Sequence, residues 1–271
     1  MTLIRCLLAL ALPLMAQAPS EPGPDLEAVL ARLEARAAAT RTLGDAYGYV
    51  ERTRMRVLDA KGKVTKEEAK EYEVTPIHGK SVKRLLKVNG KPLDAKAAAK
   101  EDARVLQEAE KASADESGAV KQVGLRALLK VWRVTGARRA RWQDREALIL
   151  DFEPQPKTSP KGKAEEVASK LAGSLYLAPD SLDLLHLDAR LVEAVSVYGF
   201  LGSVQAGGTL AQDFQQVNGE LFMPAKAVAR FPTRALFSHV VVELDTVWTD
   251  FQKFGVEPMS VKDVELLPKG Q

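Results

Sequence analysis

Apolar residues recur at i, i+3, i+4 and i+7 once, near the start of the chain, and at every second position over much of the remaining sequence. After a Pro-rich lead over residues 19–24, Asp25 is placed to cap a helix whose Leu26, Val29, Leu30 and Leu33 make one apolar stripe. Glu27, Arg32, Glu34 and Arg36 fill the other faces, so this helix is expected to lie on an apolar surface rather than inside one. Gly44 ends it.

From Tyr47 to Leu58 the period becomes two. Tyr47, Tyr49, Glu51, Thr53, Met55 and Val57 alternate with Val50, Arg52, Arg54 and Arg56, which predicts a long half-buried strand. Asp59-Ala60-Lys61-Gly62 is a turn, and Tyr72 and Val74 lie on a return strand reaching His78-Gly79-Lys80. Val82, Leu86 and Val88 share a face of a third strand that stops at Asn89-Gly90, completing an antiparallel meander. Residues 93–118 are rich in Ala, Lys and Glu, with Leu93, Val105 and Leu106 as their large apolar residues; they predict a charged, mobile helical excursion able to bury little. A better-buried helical turn comes next, over residues 125–131.

Strand spacing then resumes. Residues 139–142 pair across Gln143-Asp144-Arg145 with residues 147–153, where Leu148, Leu150 and Phe152 share a face. Three prolines and a short helix over residues 165–171 interrupt the sheet before strands at 173–177, 185–191 and 209–217. Asn218-Gly219 makes a hairpin to 220–223, which Pro224 stops; 228–231 and 240–248 complete the set. About ten antiparallel strands and three or four helices predict an α+β fold: a curved sheet, an incomplete β-barrel, with helices covering its concave face.

The first 18 residues have a different character: Arg5, an apolar run to Met15, and Ala16-Gln17-Ala18 as a cleavage site. They read as a signal peptide, too short in its apolar part for the roughly 20 residues of a membrane span. Residues 25–256 are then a single domain and residues 257–271 a polar tail, in an exported protein of the periplasm. Cys6, the one cysteine, leaves with the signal, which excludes disulfides and thiolate sites from the mature chain. A net charge of +3 with 28% charged residues argues against a dedicated nucleic-acid binder.

Candidate chemistry is sparse. His78, His186 and His239 stand apart, without zinc spacing, and are expected on turns or the surface. No nucleophile elbow, phosphate loop or calcium loop is present, so no catalytic residue, metal or cofactor is assigned, and an enzyme is not expected. Arg138, Arg139 and Arg141 beside Trp142 suit either contact with anionic lipid headgroups at a membrane or, more simply, a solvated edge strand. Too few helices for so many strands leave room for an apolar cavity. Its candidate lining is Tyr47, Tyr49, Met55, Val57, Leu86, Val88, Leu148, Leu150, Phe152, Leu175, Leu177, Phe214, Phe222, Val240, Val242 and Leu244, with Leu26, Val29, Leu30 and Leu33 on a lid helix.

Several short stretches occur in a familiar order: Tyr47-Gly48-Tyr49-Val50-Glu51, Phe152-Glu153-Pro154, Gly173-Ser174-Leu175-Tyr176-Leu177, residues 218–224 and residues 249–254. With the exported start and the amphipathic helix, this order resembles the outer-membrane lipoprotein-sorting proteins, the LolA-like periplasmic carriers, over roughly Asp25 to Phe254. The resemblance implies a half-barrel closed by helices that shelters lipid or lipoprotein acyl chains, working as a monomer without cofactor. The same scaffold with a filled interior would instead be an interaction or sensor module for an inner- or outer-membrane protein partner.

Overall fold

The computed structural model describes residues 25–77, 79–114, 125–196, 202–235 and 238–254. The expected signal peptide, Pro-rich lead and polar tail, together with His78 and the end of the 93–118 excursion, lie outside the described residues.

Helix α1 (Leu26–Gly44) starts where expected, the Asp25 carboxylate accepting from the Glu27 backbone N–H at 3.1 Å. The meander continues the chain as β1 (Tyr47–Leu58), β2 (Val64–Ile77), β3 (Lys80–Val88) and a two-residue β4 (Lys91–Pro92), then α2 (Ala95–Ala114) and α3 (Leu125–Val131). Next come β5 (Trp132–Trp142), β6 (Arg145–Pro154), α4 (Lys163–Ala168), β7 (Leu171–Leu177) and β8 (Leu184–Leu191). The rest is strand: β9 (Val195–Ser196), β10 (Gly202–Val204), β11 (Thr209–Val217), β12 (Leu221–Ala235) and β13 (Ser238–Lys253).

All these strands belong to one antiparallel sheet in the order β4-β3-β2-β1-β13-β12-β11-β8-β7-β6-β5, with β10 on the far half of β12 and β9 beside it. The sheet is large and does not close. It holds thirteen strands where about ten were expected, because β4, β9 and β10 are too short to show an alternation. Pro224 also fails to stop its strand. It sits at a bulge opposite Phe214, and β12 meets β13 only from Lys226 onward, so no ladder bond is lost to the missing N–H. Segments 220–223 and 228–231 are therefore one strand.

The core is thickest at the β5–β8 end. Ala147, Leu148, Ile149 and Leu150 of β6 are all buried, so both faces of that strand are covered. On one face Leu148, Leu150 and Phe152 join Val29 and Leu33 of α1, Val131, Trp132 and Ala168, with Leu26 and Leu30 packed alongside. Trp132 stacks on Phe152 with ring centres 4.1 Å apart, and its indole N–H donates to the Ala168 carbonyl. The opposite face buries Ala147, Ile149 and Leu185 against Trp142, Tyr176 and Phe222. β7 and β8 approach so closely that a Cβ at Gly173 would overlap the Asp188 carbonyl oxygen.

The charged excursion is a docked helix, which corrects the expectation of a mobile segment. α2 lies along β3: Val105, Ala109 and Ala112 are buried with Ile77 and Val82. Glu101 accepts the Leu85 backbone N–H at 2.7 Å, and Arg104 donates to the Lys83 carbonyl. Those backbone groups lie on the side of β3 away from β2, so α2 saturates an open strand edge with side chains.

Candidate ligand-binding site

Two recesses share one face of the sheet. β1 sets that face by alternation, since Tyr47, Tyr49, Glu51, Thr53 and Met55 point the same way while Arg52, Arg54 and Arg56 pair on the other side with Glu71, Asp250, Asp245 and Glu243.

The first recess is an apolar cavity of about 430 Å³ between α1 and the sheet. Leu33, Ala37 and Thr40 of α1 form one wall; Tyr47, Tyr49, Leu175, Leu177, Leu187, Phe214 and Met223 of the strands form the other, with Leu128 and Trp132 between. Tyr47 is buried to 2% exposure, and its hydroxyl is fully used, donating to Glu220 at 3.2 Å and accepting from Asn218 at 3.1 Å. Burial first, then the negative charge of Glu51, push the Tyr49 hydroxyl up to about 12, against a hydrogen bond to Ser81. The Thr40 hydroxyl is buried and has no partner among the described residues. Arg36 holds Asp183 bidentately at 2.7 and 3.1 Å, and Arg32 donates to the Asp180 carbonyl, tying α1 to the turn before β8.

The second recess, of about 700 Å³, lies between β1, β2, β3 and α2 and carries seven charged side chains among its lining residues, so it is the polar one of the two by residue type. Glu51, 8% exposed, sits at its inner end; Lys83 donates to both its oxygens at 2.7 and 2.8 Å, and the Trp248 indole N–H adds a third bond at 3.1 Å. Ser81 lines both recesses, and Trp248 lines the apolar cavity while bonding Glu51 of the polar one, so the two adjoin.

Of the candidate cavity residues, Tyr47, Tyr49, Leu175, Leu177, Phe214 and Phe222 line the apolar cavity together with Leu33 of the lid helix. Met55 and Leu244 line the polar recess instead. Leu148, Leu150 and Phe152 are solid core beside Val29, with Leu26 and Leu30 packed against them. Val57, Leu86, Val88, Val240 and Val242 line neither. Val57 pairs with Val242 far along β1, and Leu86 is the residue skipped where the β2–β3 register shifts, which turns Leu85 inward in its place. Trp248 keeps the parity of Val240, Val242 and Leu244, which alternation places on one face, whereas Phe251 has the other parity and reaches the cavity because the register shifts at the bulge between Gly48 and Val50.

The headgroup candidates stand on β5, away from both recesses. Arg138 is paired with Asp151 at 2.7 Å, Arg141 donates to the Asp144 carbonyl, Arg139 is exposed, and Trp142 is stacked on His186 with ring centres 5.1 Å apart. His186 is thus no surface residue: it is held between Asp213 at 2.6 Å and Asp188 at 3.1 Å.

Among the described residues, no group of three or more His, Cys, Asp or Glu is placed to hold a metal ion, and no helix is long and apolar enough to cross a membrane. No protein-family model and no curated protein matches the chain. Among solved structures, a DUF1329 family protein from Desulfovibrio piger is similar at 12% identity and TM-score 0.41, covering 88% of this chain and 96% of its own. Two structures of MucB with MucA, one named as from Pseudomonas aeruginosa, are similar at 11% and 10% identity and TM-scores of 0.23 and 0.22, each covering 86% of this chain and 100% of theirs. Likeness this loose carries no argument, and the functional reading rests on the cavity.

Proposed function

We propose that this chain is a non-enzymatic periplasmic carrier or binding protein for lipid or lipoprotein acyl chains, held in the cavity between α1 and the sheet. One observation carries the reading: an apolar recess of about 430 Å³ lies between α1 and the sheet. That is within the range of small-molecule sites, roughly 300–1,000 Å³. Each methylene moved into it gains about 0.8 kcal/mol, so an acyl chain of about ten carbons gains about 8 kcal/mol, from which the costs of association are drawn. The signal-like start supports export. α1 is the movable wall, latched by Arg36 on Asp183, and release comes from its opening or from a more apolar acceptor.

Organic extraction and mass spectrometry of the purified mature protein tests this. Acyl-bearing species are expected to co-purify, and a fluorescent fatty acid is expected to bind. Repeated recovery without lipid, joined to no uptake of the fluorescent probe, sinks the carrier reading and leaves the protein-partner module in its place.

A further inference from the structure

We infer that the polar recess beside α2 is a headgroup site, and that the ligand is an amphiphile whose tail fills the α1 cavity and whose head is a zwitterionic phosphodiester bearing an amine. The inference rests on the acyl-chain reading and adds the chemistry of the other end.

Continuity comes first. Tyr49 lines the apolar cavity and Glu51, the next residue on that face of β1, lines the polar recess; Ser81 lines both. A ligand with one oily and one polar end reaches from one recess to the other past Ser81. Charge comes second. Lys83 is paired with Glu51 and Arg104 with Glu101, and in each pair the cation stands further out: Lys83 is 45% exposed over Glu51 at 11%, and Arg104 41% over Glu101 at 14%. The recess therefore offers N–H groups outward, backed by buried carboxylates.

Most of those donors are spent. Lys83 has three, two of them on Glu51; Arg104 has five, engaged by Glu101, Glu108 and the Lys83 carbonyl. What is left suits a singly charged group with several oxygens better than a doubly charged phosphate. The carboxylates Glu51, Glu68, Glu101 and Glu108 outnumber Lys70, Lys83 and Arg104 by one. Glu108, at 47% exposure the most accessible of the four, is the group an ammonium would meet. A head carrying both signs meets the outward N–H groups with its phosphate and the carboxylate excess, at Glu108 beside Arg104, with its ammonium.

Calorimetry with three probes of equal chain length decides it: a fatty acid, lysophosphatidylethanolamine and lysophosphatidylglycerol. The ethanolamine lipid is expected to bind about tenfold tighter than the fatty acid, as one charge-assisted hydrogen bond confers. Glu51→Gln with Lys83→Gln, which removes both charges while keeping a hydrogen-bonding pair, is expected to erase that preference. Glu108→Gln is expected to erase the preference for ethanolamine over glycerol alone. Equal wild-type affinity for all three probes overturns the headgroup site but spares the acyl cavity. Failure of every probe, fatty acid included, overturns the acyl reading and this inference with it. Binding of glycerophosphoethanolamine or inorganic phosphate as tightly as the lysolipid overturns the amphiphile and makes the recess a site for free phosphate compounds. The wild-type comparison needs no variant to fold.

Discussion

The two ends of the sheet bury the same kind of backbone by opposite means. At the β5–β8 end, β6 is covered on both faces by aliphatic and aromatic side chains, with Leu150 and Phe152 essentially inaccessible. At the β1–β3 end, the corresponding face carries Glu51, Thr53 and Lys70, and its neighbouring helix docks through Val105, two alanines and the Arg84–Asp102 ion pair. The first end derives its stability from area removed from water, which does not titrate and is not screened as charges are. The second depends on paired charges, which respond to both pH and salt. The apolar cavity lies where the first arrangement runs out, and the charged recess where the second begins.

The largest test of that contrast is truncation. Phe152→Ala is expected to cost about 3–5 kcal/mol in urea unfolding, since it removes the stacking partner of Trp132 and leaves a hole in a rigid core. Met55→Ala, on the half-buried face of β1, is expected to cost only about 1 kcal/mol. Equal losses would erase the distinction. Next comes Lys83→Met, which leaves the Glu51 carboxylate with Trp248 as its remaining partner. We expect about 2 kcal/mol, less than for a fully buried pair because Lys83 is partly solvated. The additional change Glu51→Gln is expected to recover most of it.

Acid is the subtler probe. The Arg104 hydrogen bond holds the Glu101 carboxyl below the usual carboxylate range, burial opposing and the Leu85 N–H assisting. A depressed acid contributes fully above its unfolded value, about 4.3, and the contribution vanishes as pH falls through the folded one. Hydrogen-exchange protection of the Leu85 amide is therefore expected to fall on acidification below that range, while amides of β6 stay protected. Loss of both together would show that α2 is not an independently titrating dock. The smallest effect is at the cavity wall: Thr40→Val exchanges an unpartnered buried hydroxyl for a methyl and is expected to raise stability by about 1 kcal/mol.

Local periodicity made α1 and β1 legible to within a residue, because Leu26, Val29, Leu30 and Leu33 repeat cleanly and because Tyr47 to Leu58 alternates without a break. The same habit misled at Leu86 and Pro224, where a bulge changes the face or the partner without altering composition. Counting large apolar residues missed the docking of α2, since Ala109 and Ala112 bury little area yet allow the helix to come close. The aromatic half of the site could be anticipated from alternation. The Lys83–Glu51–Trp248 cluster could not, because it joins three strands whose pairing spans up to 197 residues of sequence and is fixed only by register.

α2 also determines how many molecules a sheet of this size can contain. Without Glu101 and Arg104 on the backbone of Leu85 and Lys83, β3 would present unsatisfied donors and acceptors to any passing strand, including the same strand of another copy. At the far end of the sheet, β5 carries the charged side chains Arg133, Arg138, Arg139 and Arg141 along its length, which a second strand would have to desolvate in order to pair with it. One border is sealed and the other defended, and together they stop an unclosed ribbon of strands from growing into a polymer.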